Sequence, residues 1–345
     1  MMNFNMLIFL SLMFMSILMG LNSNSLMFFW ISIEINMMSF IPMILFLKKN
    51  FNDSSIKYFL IQSLSSSLML FFMLNLNNKF INIIMLMMLM SLLMKLGFFP
   101  FNYWYLNILN NLSWTNCLIL LTIQKILPFL MLNYLFKMYF LNSFYLMNNF
   151  NYFNKLIFLL IIINSMMSMS LIYSLNSIKL ILGMSSINHM SWLFLILMIN
   201  KKMFMMYFMM YMMILFNLIY LLKLYKINNL NELYTFNNNK YLMKFILIIL
   251  MMMMMSLPPF IGFFMKSFSI YYFIYYNYMF ISYLLLLISM IMFFYYLKLF
   301  ISSILFFNNN LFINMNYQLL IYSNKMKIFF INLSLIMLFY WLYNF

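Results

Sequence analysis

Three features of the sequence predict an all-α polytopic membrane protein with about eleven transmembrane helices. Apolar runs about 20 residues long follow one another from end to end. Of 345 residues, 68% are hydrophobic and 6% charged. Two of the runs are too long for a single crossing and carry Gly and Pro near their middles. A soluble domain of this length needs polar surface to match its core, and 19 Lys with 3 acidic residues do not supply it.

The runs lie near 6 to 20, 25 to 47, 57 to 75, 80 to 110, 115 to 136, 154 to 173, 178 to 199, 203 to 222, 243 to 275, 278 to 300 and 328 to 344. Short turns such as Lys48-Lys49-Asn50-Phe51-Asn52-Asp53 separate them, and longer polar segments occupy 223 to 244 and 307 to 327. The run 115 to 136 is expected as one continuous helix. The runs 80 to 110 and 243 to 275 exceed the ~20 residues a bilayer requires. The first is interrupted by Lys95-Leu96-Gly97-Phe98-Phe99-Pro100 and the second by Leu257-Pro258-Pro259-Phe260-Ile261-Gly262. Gly97, Pro100, Pro258, Pro259 and Gly262 are five of the chain's nine such residues, four Gly and five Pro. A helix broken in hydrocarbon frees backbone groups that need partners, so breaks persist where they line a polar cavity.

The two breaks are five spans apart. Five is odd, so residues 1–140 and 150–302 are expected as two five-helix repeats of opposite orientation, with 303–345 forming a C-terminal loop and last helix. That is the antiporter-like, inverted-repeat design, with its pathway near the midplane. Two unrelated proline kinks would leave the same residues.

Ala, Val and Arg are absent, and residues with codons beginning in G number seven: four Gly and three acidic residues. With 46 Met, 44 Phe and 26 Tyr, this is the product of an extremely A+T-rich genome and points to organellar, mitochondrial encoding. The net charge of +16 resides in lysines that mostly lie between apolar runs, which is a topological signal rather than a nucleic-acid footprint. With the N-terminus on one side, that side collects Lys48, Lys49, Lys57, Lys179, Lys223, Lys226, Lys240, Lys244, Lys298, Lys325 and Lys327, against Lys79, Lys137, Lys155, Lys201 and Lys202 on the other. The N-terminus is therefore expected in the matrix and the C-terminus in the intermembrane space of a mitochondrial inner membrane. The apolar N-terminus has no basic region of the secretory kind. One cysteine, Cys117, and one histidine, His189, with no C-x-x-C, leave no ligand set for haem or a metal cluster, so no redox cofactor is expected on this chain.

The lysines inside the runs carry the functional signal. Lys95, Lys125 and Lys266 lie deep in spans, where an ionisable group costs ~2.5–3.5 kcal/mol and the usual reason for it is an ion path. Glu34 sits about nine residues into the second run, roughly 14 Å along a helix, near the midplane of a ~30 Å core. It is expected to be buried. Desolvation makes an ammonium readier to release its proton and a nearby carboxylate makes it less so, so a Glu-Lys pair acts as a switch. Snorkelling or helix pairing is the plainer role for each lysine. His189, within Ser185-Ser186-Ile187-Asn188-His189-Met190-Ser191-Trp192, suits either a relay or an interhelical hydrogen bond.

Trp30-Ile31-Ser32-Ile33-Glu34-Ile35-Asn36 with Ser39-Phe40-Ile41-Pro42 resembles the signature around the membrane glutamate of the NADH dehydrogenase subunit 2 family. Lys95-Leu96-Gly97-x-x-Pro100-Phe101-x-x-Trp104, Gln124-Lys125-Ile126-x-Pro128, Ser185-Ser186-Ile187-x-His189-x-x-Trp192 and Leu257-Pro258-Pro259-Phe260-x-Gly262-Phe263-x-x-Lys266 are similar to its later motifs, in family order. The resemblance spans nearly the whole chain. It implies an antiporter-like, proton-translocating membrane subunit of respiratory complex I, NADH:ubiquinone oxidoreductase, shortened by three N-terminal helices. The residues themselves give Glu34, Lys95, Lys125 and Lys266 as the relay, a proton released at Lys95 passing to Lys125 and then to Lys266, with His189 a candidate member. The resemblance also implies that NADH, FMN, iron-sulfur clusters and ubiquinone belong to other subunits, that the partners are other membrane-arm and accessory subunits, and that lipids including cardiolipin touch the chain. Asn102 stands where the family often has His, and Ser191 where it often has Gly before Trp, so no relay is expected through position 102.

Two other functions fit the same residues. A stand-alone cation/proton antiporter would purify by itself, and a purely structural subunit would tolerate replacement of the membrane lysines. A sibling antiporter-like subunit would be considerably longer. The ATP synthase channel family relies on a membrane Arg, which this chain lacks.

Overall fold

The computed structural model describes residues 4–46, 53–75, 81–143, 147–173, 175–230, 232, 241–258 and 260–305. Thirteen helices follow in order among them: α1 (Phe4–Leu21), α2 (Leu26–Phe46), α3 (Asp53–Leu74), α4 (Ile81–Leu96), α5 (Asn102–Asn111), α6 (Trp114–Leu121), α7 (Ile123–Ser143), α8 (Met147–Ile172), α9 (Ile178–Ile199), α10 (Lys201–Tyr225), α11 (Tyr241–Met255), α12 (Ile261–Tyr275) and α13 (Met279–Leu305). Only helices satisfy the backbone within a lipid-facing segment, and the extended pairing among the described residues is an isolated bridge between Ser177 and Asn229. Among the described residues, eight spans are long and apolar enough to cross a membrane, and shorter apolar helices at Ile83–Leu96 and Phe245–Met255 form the leading halves of the two interrupted ones. The expected span at 328 to 344 lies outside the described residues, as do Lys48, Lys49, Lys79, Lys240, Lys325, Lys327 and Pro259.

Residues Met1–Leu171 with Lys179–Met198 form one compact unit, and Ile172–Ile178 with Ile199–Phe345 another. In the first, α2 packs against α1 and α3, and α4 against α3 and α7. Lipid tails are as apolar as Leu, so such packing relies on close fit and interhelical hydrogen bonds. Gly20 supplies the first: a Cβ there would overlap Leu127 Cδ2 and meet Ser32 Oγ at 3.1 Å. The second comes from Trp30 Nε1, which donates to Ser66 O at 3.0 Å, and Asn116 Nδ2, which donates to Met43 O at 3.0 Å. The outer faces of α1 and α3 carry Phe4, Phe14, Met15, Leu60 and Phe71, all exposed in the manner of lipid-facing residues.

The break after α4 is a Schellman cap. Gly97 has φ +67°, its N–H donates to Met94 O at 3.2 Å, and Phe98 N–H donates to Leu93 O at 3.0 Å. Tyr105 of α5 then folds back so tightly that a Cβ on Gly97 would lie 2.7 Å from the Tyr105 Cβ. Phe99 N–H, freed by the break, donates to Asn164 Oδ1 of α8 at 3.0 Å, and the Phe99–Pro100 peptide is cis.

The run 115 to 136 is not one continuous helix. It stops at Thr122 (φ −121°, ψ −76°) and resumes at Ile123. Thr122 Oγ1 donates to Leu118 O at 2.7 Å, a back-bond that bends helices, and Pro128 six residues on has no N–H for the ladder.

In the second unit α10, α11, α12 and α13 pack together. Here α11 ends at Ser256, φ +65°, whose N–H donates to Met253 O at 3.2 Å. A Cβ on Gly262 of α12 would overlap that same carbonyl oxygen, so only glycine fits there. Both breaks expected from the sequence are therefore present.

Candidate functional site

Lys95 lies in the last turn of α4, where the unpaired carbonyl ends carry partial negative charge. Its amine donates to Gln62 O on α3 at 3.4 Å, while Gln62 Nε2 donates back to Lys95 O at 3.2 Å, so the side chain and backbone of one residue bracket those of the other. Lys125 sits in the first turn of α7, three residues beyond the stop at Thr122. Its Nζ is buried with no hydrogen-bond partner among the described residues, and it stands 5.2 Å from the centroid of the Tyr105 ring. The two lysines line one cavity of about 20 Å³, together with Tyr58, Gln62, Trp104, Tyr105 and Gln124. That exceeds the ~10–15 Å³ a single water centre needs, and the lining is polar enough to bind one.

Gln124 joins three helices beside this cavity. Its Oε1 accepts from Tyr58 OH of α3 at 3.1 Å, and its Nε2 donates to Asn36 Oδ1 of α2 at 3.2 Å. Tyr105 links the cavity to α9, its hydroxyl lying 2.8 Å from Ser186 Oγ. Asn164 completes the frame by donating from Nδ2 to Ile187 O of α9 at 3.1 Å. His189 follows on α9, buried and hydrogen-bonded or otherwise partnered, in a helix enclosed along nearly its whole length.

Glu34 departs from expectation. It is half-buried, not enclosed, and does not line the cavity. The reason is helical register: Met27, Ile31 and Met38, at seven and three residues before it and four after, share its stripe, and all three are exposed. Lys266 is buried in α12, as expected, with Ser269 Oγ donating to its carbonyl at 2.6 Å. It belongs to the second unit, whereas Glu34, Lys95, Lys125 and His189 belong to the first. Among the described residues, no three His, Cys, Asp or Glu side chains gather to hold a metal ion.

Gln62, Tyr58, Tyr105 and Asn164 were not singled out by the sequence, and Gln124 appeared there only as a motif neighbour of Lys125, with no role of its own. Gln62 and Gln124 could have been, since an amide inside an apolar run carries the same cost argument as a lysine on a smaller scale. Nothing in the sequence separates Tyr105 from the other 25 tyrosines.

Residues 23–292 match the family model described as NADH:quinone oxidoreductase/Mrp antiporter, TM. The chain is 35% identical over 268 residues to NADH-ubiquinone oxidoreductase chain 2 of Aedes aegypti, covering 75% of this chain and 74% of that one. It is 30% identical over 268 residues to the protein of the same name from Anopheles gambiae, with the same coverage. Among solved structures, a chain of respiratory complex I from Thermus thermophilus shares the fold with a TM-score of 0.75 at 16% identity, over 87% of this chain and 71% of that one. A chain of the Mrp complex from Dietzia sp. shares it with a TM-score of 0.73 at 13% identity, over 85% of this chain and 59% of that one.

Proposed function

The chain belongs to the NADH:quinone oxidoreductase/Mrp antiporter transmembrane family, and from that premise we propose that Glu34, Lys95 and Lys125 pass protons through its first unit by way of the cavity the two lysines share. It is a proton-translocating, multi-pass membrane subunit of mitochondrial NADH:ubiquinone oxidoreductase. The observation that carries the relay is the cavity itself, which brings two ammonium groups from different spans to one small polar space.

Two ammonium groups cannot share such a space without repulsion. A carboxylate acting on Lys95 therefore decides which of them holds the proton. With Glu34 ionised, the proton stays on Lys95, which Gln62 O and the end of α4 also favour. Once Glu34 is neutralised or drawn away, the Lys95 ammonium gives its proton to a water in the cavity and that water protonates the Lys125 amine. Glu34 is suited to the trigger because it stands at the edge of the unit. A carboxylate on an outward stripe is costly against hydrocarbon, so a neighbouring membrane-arm subunit covers it. Lys266 then serves as the exit relay, with His189 as either an intermediate or a helix-pairing group.

The reading extends to the rest of the enzyme. NADH, FMN, iron-sulfur clusters and ubiquinone are handled by other subunits, accessory subunits and lipids such as cardiolipin contact the outer faces, and residues 1–140 and 150–302 are inverted repeats. The lysine asymmetry supports a matrix N-terminus and a C-terminus in the intermembrane space. In sealed inner-membrane vesicles, Glu34→Gln and Lys125→Met should each leave the complex assembled and lower the protons moved per NADH oxidised. An unchanged ratio and rate in both would remove these residues from the path.

A further inference from the structure

We infer that Tyr105 is a positioning residue for Lys125, its ring face holding the ammonium at the cavity in place of a hydrogen bond. The inference rests on the relay reading and adds to it the group that prepares the receiving lysine.

Four observations meet at this side chain. The Lys125 amine is buried and has no hydrogen-bond partner among the described residues, yet lies 5.2 Å from the Tyr105 ring centroid, inside the ~6 Å range of a cation–π contact. Tyr105 itself is 1% exposed and lines the cavity with both lysines. Its Cβ abuts Gly97, directly after the turn that carries Lys95. Its hydroxyl is held by Ser186 on α9, so the ring cannot swing out of the cavity wall. A π face attracts an ammonium but takes no proton and points no lone pair at it. It therefore stabilises the charged lysine without locking its N–H bonds, leaving them free for a water in the cavity.

The titratable groups around Lys125 are Tyr105 on α5, Cys117 on α6, Tyr58 on α3 and Lys95 on α4 across the cavity. Glu34 is on α2, which also packs against α7, and does not line the cavity; α1, which packs against α7 as well, carries no titratable side chain. The ring is the group among them that can favour the Lys125 ammonium at contact without exchanging a proton with it. Losing a desolvated cation–π contact is worth about one pH unit. The sign follows: without the ring the ammonium sheds its proton more easily, so a lower pH is needed to load Lys125, and the pH profile of pumping moves towards acid.

The test measures protons moved per NADH oxidised against pH, in sealed vesicles with the assembled complex, for Tyr105→Phe, Tyr105→Leu, Tyr105→Met and Lys125→Met. The expected result is an acid shift of about one unit for Leu and Met, and less than half of that shift for Phe, which keeps the ring. An unmoved profile in Leu and Met overturns the proposal. So does a Phe shift as large as theirs, which would assign the effect to the hydroxyl. Failure of both Leu and Met to assemble beside a normal Phe variant also overturns it, since the ring would then serve packing. Lys125→Met separates the two levels: if it pumps normally the relay reading falls, whereas impaired pumping there with unmoved Tyr105 variants sinks only the role of Tyr105.

Discussion

Asn164→Leu isolates what holds the first broken helix together. The Asn164 amide uses its oxygen for the Phe99 N–H at 3.0 Å and its nitrogen for the Ile187 carbonyl at 3.1 Å, and the residue is fully buried. Leucine fills a similar volume and makes neither bond. The Ile187 carbonyl lies within α9 and retains the helix ladder, so it loses only a net ~0.5–1.5 kcal/mol. Phe99 lies between two helices and its N–H has no ladder to return to, a loss of ~1–3 kcal/mol for an orphaned donor. Together these come to about 1.5–4.5 kcal/mol, or roughly 10- to 1,600-fold at ~1.4 kcal/mol per decade, in the balance between the stapled and loosened break. Hydrogen exchange on the assembled complex in detergent reads that balance directly, as faster exchange across residues 97–101 by about that factor, with α10 unaffected. Exchange at the parent rate in Asn164→Leu would refute the claim that this amide satisfies the break.

At the second break, Gly262→Ala places a methyl on the Met253 carbonyl, and 3.1 Å from Ser256 Cα, so α12 must shift; the cost is ~1–3 kcal/mol or more, seen as less assembled complex and a lower melting temperature. Gly183→Ala is the control, because its methyl would meet only the movable ends of Leu109 and Leu106 at 3.0 and 3.1 Å; equal losses in the two variants would contradict the backbone argument. Lys266→Met should assemble and pump poorly, and Lys266→Arg should pump poorly too because guanidinium does not release its proton; full pumping in Arg would mean that charge alone suffices. Protease added to mitoplasts from the outer face should spare the segment around Lys240, and cleavage there would reverse the proposed orientation.

Much of the fold was legible because hydrocarbon constrains sequence so strongly. Run length gave the spans through α3 and from α8 to α10, and scarce Gly and Pro marked both breaks, since a break in lipid needs residues that few other positions require. The stop at Thr122 was not legible, because threonine is common in helices and bends them only when its hydroxyl turns back on Leu118. The site was half legible. Lysines inside apolar runs announce themselves through their cost, but cost does not reveal facing: Glu34 is nine residues into α2 as expected, yet lies on its outward stripe. Tyr105 and Asn164 are ordinary residues in this composition, made consequential by the close return of α5 beneath α4 and by the donor freed at Phe99.

The two breaks share a construction and differ in where they leave their lysine. Each helix ends in a left-handed residue, Gly97 or Ser256, whose N–H returns to the carbonyl three residues back. Each then passes a proline, and each has a glycine at the point of closest approach, Gly97 against Tyr105 and Gly262 against Met253. Lys95 is in the last turn before its break, where the carbonyl ends of α4 attract an ammonium. Lys266 is the sixth residue of α12, after its break. The N-terminal end of a helix carries partial positive charge, the opposite of the end that holds Lys95. One kind of break thus puts one lysine before it, at the carbonyl end of a helix, and the other after it, in the second turn of the next helix.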